Sequence, residues 1–205
     1  MNLQLNAMSV PMPHVVGHPN RLPFHGVLTL VGIASQRSPS GARGHRVMLT
    51  RAATEAALPS LLGMALDYAP SLDAHDTRRK IGIITEANIV SIPQRGTTGR
   101  DRAAQVCASN SAGDKVGPTS PIGQIAISGY LFAHDFPDLV DEIRSQAAGP
   151  LGMSYEIANA TVPNQDAPIW TVTGFTFTGA AVLRRDKAAY PQTWIALASS
   201  NKPLP

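Results

Sequence analysis

The stretch Gly149-Pro150-Leu151-Gly152-Met153-Ser154-Tyr155-Glu156-Ile157 marks a change of period in the chain. Before it, Phe136, Leu139, Val140, Ile143 and Ala147 recur at steps that line one face of a helix. Pro137 suits the first turn of that helix, and Asp138 suits its positive N-terminal end. Gly149-Pro150 stops it. From Leu151 to Val162 the side chains alternate, so the chain continues as a strand with Ser154 near its mouth. Helical and strand periods follow one another along the chain without a regular βαβ alternation, which predicts an α+β fold.

Working outward, Ile122 to Ala133 alternates and reads as the strand before the helix. Phe24 to Ile33, His45 to Thr50, Ile81 to Ala87 and Ile169 to Thr178 read as further strands, and Gly179 to Leu183 extends the last of them or turns. Between Arg51 and Tyr68 the spacing of Ala57, Leu58, Leu61, Leu62, Ala65 and Leu66 predicts a helix that Pro59 begins or kinks. The expected architecture is a mostly antiparallel sheet or barrel with two to three packed helices. Residues 1–23, with Pro11, Pro13, Pro19 and Pro23, read as an irregular arm, and 193–205 as a tail. The domain then runs from 24 to 192. Residues 93–121 carry almost no large apolar side chains and read as an insertion, mobile or a lid.

Composition narrows the function classes. A chain of 205 residues with 43% hydrophobic side chains can bury one sizeable core. Its net charge is +3, without a Lys/Arg-rich run or an aromatic and basic platform, so no specific nucleic-acid partner is expected. The single cysteine, Cys107, excludes an internal disulfide framework and suits a reducing compartment. No apolar run approaches the ~20 residues that span a bilayer, and no signal peptide is read at the N-terminus. His14 and His18 are four apart, but Pro13 and Gly17 argue against the helix that would pair them on a metal. There is no His-Glu-x-x-His motif, no cysteine pair and no phosphate-binding glycine loop ending in Lys-Ser/Thr, so neither a metal nor a cofactor is expected.

A serine hydroxyl becomes a nucleophile when a histidine within hydrogen-bond reach takes its proton. Among the six histidines, His75 and His134 stand beside aspartates, Asp76 and Asp135, near expected strands. His75, in a loop or at a strand entrance, is the candidate base for Ser154. A Gly-x-Ser-x-Gly elbow is absent because residue 156 is Glu, which argues against an α/β-hydrolase.

Four motifs then occur in order. His75-Asp76 is followed by Lys80-Ile81-Gly82, and Gly129-Tyr130-Leu131-Phe132 leads on to Phe136-Pro137 and Leu139-Val140. Leu151-Gly152-Met153-Ser154-Tyr155-Glu156 comes next, then Phe177 to Leu183 with Asp186 to Tyr190. Over residues 24–192 this order resembles the phage prohead protease family, relatives of the herpesvirus assemblins. The resemblance implies a herpesvirus-protease-like fold and a serine endopeptidase of capsid maturation, with Ser154 as nucleophile and His75 as general base. It implies the phage major capsid protein and scaffold as substrates, self-association, and a place in the assembling procapsid in the host cytoplasm. By the same resemblance Arg184 and Arg185 are candidates for the oxyanion region.

The third catalytic group is where this chain departs from the family. Assemblins place a histidine, and many phage relatives an acid, on the strand near Phe177 to Ala180. Here Thr176 and Thr178 stand there, and Thr178 is the candidate. The alternatives are Asp76, Glu156 or His134 as the orienting group, or a Ser-His dyad. An inactive protease-fold protein acting in capsid assembly or scaffolding is the alternative function.

Overall fold

The computed structural model describes residues 7–13, 15, 17–92 and 122–198. Cys107, His14 and the 93–121 insertion lie outside the described residues. The fold is α+β and mostly strands. The strands are β1 (Ala7–Ser9), β2 (Leu22–Val31), β3 (Arg46–Leu49), β4 (Ala65–Asp67), β5 (Lys80–Ser91) and β6 (Gly123–Leu131), then β7 (Leu151–Thr161), β8 (Ile169–Val172), β9 (Gly174–Arg184) and β10 (Trp194–Leu197). Among the described residues two α-helices, α1 (Arg51–Ala57) and α2 (Pro137–Ser145), accompany them.

The main sheet runs in the order β10-β2-β6-β5-β4-β9-β7, with β1 added to β5. All its ladders are antiparallel except β4 with β9. A small parallel sheet pairs β3 with β8. The main sheet curls into a half-barrel. Its two ends approach each other where the Met153 amide of β7 donates to Thr193 Oγ1, just before β10, at 3.0 Å. Gly26 of β2 lies under Met153, and a Cβ there would stand 3.1 Å from the Met153 sulfur. The core inside the curl gathers Leu28, Leu66, Ile84, Ile127, Met153 and Phe177, closed by Leu139 and Ile143 of α2.

Several expectations are corrected. The helix expected to Tyr68 stops early: α1 ends at Ala57, Leu58–Leu61 form a 3-10 turn, and Ala65 and Leu66 belong to a strand. Pro59 supplies no amide for an α-helical bond, and Gly63 takes a φ of +79°, which sends the chain into β4. The N-terminal arm is not wholly irregular. β4 occupies the edge of β5 only as far as Ile83, so β1 and the Val10 amide, 2.8 Å from the Thr85 carbonyl, satisfy the edge beyond it. Likewise the tail contributes β10, so the sheet extends past residue 192. Helix α2 ends at Ser145, before Gly149, because Gln146 enters the left-handed region at φ 51°. Among the described residues, no helix is long and apolar enough to cross a membrane.

Candidate functional site

Strand β9 lies between β4 and β7, and its register decides what faces what. Ala181 pairs with Ser154 on one side and with Asp67 on the other. Directly paired residues project to the same face of a sheet, so Ser154 and Asp67 stand in one row, two strand spacings or roughly 9–10 Å apart at their backbones. Glu156, two residues after Ser154, shares that face and pairs with Gly179. The residues between them on β9 therefore carry at most a methyl group. Their small size leaves room above the middle strand for a side chain brought in from elsewhere.

That side chain is His75. It belongs to the loop from β4 to β5, which is tied to the sheet at several points. Leu72, buried at φ 54°, accepts from the Arg184 amide through its carbonyl at 2.7 Å. The Asp76 amide donates to Asp67 Oδ1 at 3.3 Å. So held, His75 Nδ1 lies 3.5 Å from Asp67 Oδ1 and 3.3 Å from Glu156 Oε1. Neither contact has hydrogen-bond alignment, and the nitrogen is shielded from solvent. Asp67 is fully buried and is stabilised by Lys80, whose ammonium lies 3.2 Å from Oδ2. Gly179 is equally specific: a Cβ at this position would stand 3.0 Å from Glu156 Oε2.

Ser154, His75, Glu156 and Thr178 all line one cavity of about 950 Å³. Its far wall is built by the 37–43 loop and by Trp170, which stacks on His45 with ring centroids 4.6 Å apart. Tyr155 alternates to the face opposite Ser154 and meets Phe177 edge-on. Burial pushes the phenols of Tyr155 and Tyr190 far up, and Tyr190 is raised further by its proximity to Tyr155. Both hydroxyls stay neutral and are unsuited to proton transfer in the site.

The expected site residues are thus partly gathered. Ser154, His75 and Thr178 share the cavity, but the groups facing His75 Nδ1 are the carboxylates of Asp67 and Glu156. Thr178 is exposed and is the extra residue of a β-bulge between the Glu156–Gly179 and Ile157–Phe177 pairs. Arg184 and Arg185 do not line the cavity. Arg184 pairs with Asp186 at 3.3 Å, and Arg185 Nη2 donates to the Leu151 carbonyl at 3.3 Å, holding the start of β7. Asp76 accepts from the Arg78 amide at 3.0 Å within its own turn. His134 is exposed beside Asp135 and lies outside the cavity.

Asp67 is the residue that sequence reasoning missed. The leucine spacing carried Leu66 into a helix, and with it the aspartate that follows. The available signal, for the strand and not for the role of its aspartate, was Gly63, a helix breaker just before the short apolar run Met64-Ala65-Leu66. Asp67, His75 and Glu156 also offer three metal-ligand atoms within 4.8 Å of one another. The linear motifs contain no trace of this set because its members come from a strand end, a loop and a second strand. No family model, no curated protein and no solved structure matches this chain.

Proposed function

We propose that this chain is a serine endopeptidase of the phage capsid-maturation type, with a herpesvirus-protease-like variant of the half-barrel fold. The observation that carries the reading is the shared cavity of Ser154 and His75, with carboxylates on the Nδ1 side of the imidazole. An Nδ1–H directed at Asp67 and Glu156 leaves Nε2 as the basic nitrogen. Nε2 takes the Ser154 proton as Oγ attacks the scissile carbonyl. The imidazolium formed is stabilised by the two carboxylates and then protonates the leaving amine nitrogen. Water, deprotonated by the same nitrogen, releases the acyl group from Ser154. The long Nδ1 contacts suit a site that tightens when substrate fills the cavity.

The substrates in this reading are the phage major capsid protein and its scaffold, cut inside the assembling procapsid in the host cytoplasm, with self-association of the protease. The order of the four sequence motifs supports this assignment. The test is co-expression with the coat and scaffold proteins, followed by intact mass. Wild type is expected to shorten its substrates, and Ser154→Ala and His75→Ala to leave them whole while remaining folded by circular dichroism. A phosphonate probe should label wild type at Ser154. Full processing by Ser154→Ala would remove the assignment, and absence of both cleavage and labelling in wild type would favour an inactive assembly protein.

A further inference from the structure

We propose that Asp67, His75 and Glu156 form a binding site for a divalent transition metal of the zinc class, and that the bound metal switches off the serine chemistry. The second part rests on the protease reading; the first does not.

His75 Nδ1 is enclosed by two carboxylates at 3.3 and 3.5 Å, yet it makes no aligned hydrogen bond with either. These separations are nevertheless those of ligand atoms around one small ion. With metal–nitrogen and metal–oxygen bonds of about 2.0–2.2 Å, neighbouring corners of a tetrahedron lie roughly 3.3–3.5 Å apart. The third pair, Asp67 with Glu156, falls within 4.8 Å. Glu156, whose side chain is about a third exposed, is the ligand free to close that gap. One imidazole and two carboxylates form a donor set suited to zinc, with a fourth position left for water. Asp67 brings its own supports: the Asp76 amide on Oδ1 and the Lys80 ammonium on Oδ2 hold the carboxylate in place.

The chemical consequence follows from the two nitrogens of one ring. A metal binds neutral imidazole through a lone pair, so a metal on Nδ1 places the ring proton on Nε2. An Nε2–H cannot accept the proton of Ser154. The tautomer shift moves one proton across the ring and involves no oxidant or other reactant. Metal binding and serine activation therefore compete for one histidine. Lys80 opposes the metal, since its positive charge lies on the same carboxylate.

Co2+ titration of the purified full chain reads the site directly, because tetrahedral cobalt absorbs strongly in the visible. One equivalent is expected to give that spectrum, and Zn2+ to displace it. Asp67→Asn and Glu156→Gln should each abolish it, whereas Lys80→Ala should tighten binding several-fold. Glu156→Gln changes a partly exposed side chain, so its loss of binding reads the ligand itself, with circular dichroism as the check on folding. A spectrum that survives in Glu156→Gln, or no tetrahedral spectrum in wild type, overturns the site. Phosphonate labelling of Ser154 should fall with Zn2+ over the same concentration range. Metal bound with labelling unchanged would overturn the switch, while a chain that binds cobalt but never labels would defeat the protease reading and leave the metal site standing.

Discussion

On β4, β9 and β7 the core-facing side chains are Leu66, Ala180, Val182 and Met153, and those on the opposite face are Asp67, Ala181, Gly179, Ser154 and Glu156. The backbone and its ladders are common to both sets. The core face works by volume: its four side chains are exposed by 1% or less, and each is held by many weak contacts. The opposite face works by the position of a few atoms, and its middle strand contributes by being small. A change on the first face should appear as lost stability, and a change on the second as lost chemistry. This division of labour can be broken at chosen positions.

The largest effect is expected from Leu66→Ala, which leaves a cavity in the closed core and should cost about 2–5 kcal/mol in denaturant unfolding. Labelling of Ser154 per folded molecule should change little. Asp67→Asn, one residue on, keeps the shape and removes the charge facing His75. Cleavage is expected to fall by roughly 10²-fold or more, by analogy with other Ser-His sites whose orienting acid is removed. The stability cost should be only about 1–2 kcal/mol, because Lys80 is 40% exposed and can turn to solvent. If Asp67→Asn cleaved like wild type, Glu156 alone would be the orienting acid. Gly179→Ala pushes against the Glu156 carboxylate, and a loss of about tenfold in kcat is expected with melting temperature nearly unchanged. The smallest effect is reserved for Thr178→Val, on the bulge, where less than about threefold is expected in kcat because carboxylates face His75 Nδ1. A loss as large as that of Asp67→Asn would restore Thr178 as the third catalytic group.

Much of this fold was legible because its signals are local. The alternation from Leu151 to Val162 marked β7 to within a residue, and the Phe136 to Ile143 spacing marked α2. Where the reading failed, a local signal competed with a distant one. Ala65 and Leu66 fit a helical stripe, yet they are strand because β5 offers both of them ladder partners and β9, more than 100 residues away, offers a second to Leu66. The parallel pairing of β3 with β8 is equally remote. Ser154 and His75 could be singled out by residue type and motif order. Asp67 could not, since its role depends on sharing Ala181 with Ser154, a relation that exists only once three strands are in register. Thr178 was singled out by the place the resemblance gives to a third catalytic group; the bulge at that place has no mark in composition.

The interposed position of β9 also bears on timing during synthesis. A chain stopped before residue 174 already contains Asp67, His75, Ser154 and Glu156, but lacks the strand that sets β4 beside β7. Every group the chemistry needs is then present, with nothing to hold the groups in one row. The pairing that joins them links segments far apart in the chain, and such contacts form late in folding. On the protease reading a nascent chain is therefore inert until β9, Gly174–Arg184, has emerged from the ribosome and threaded between two strands made earlier.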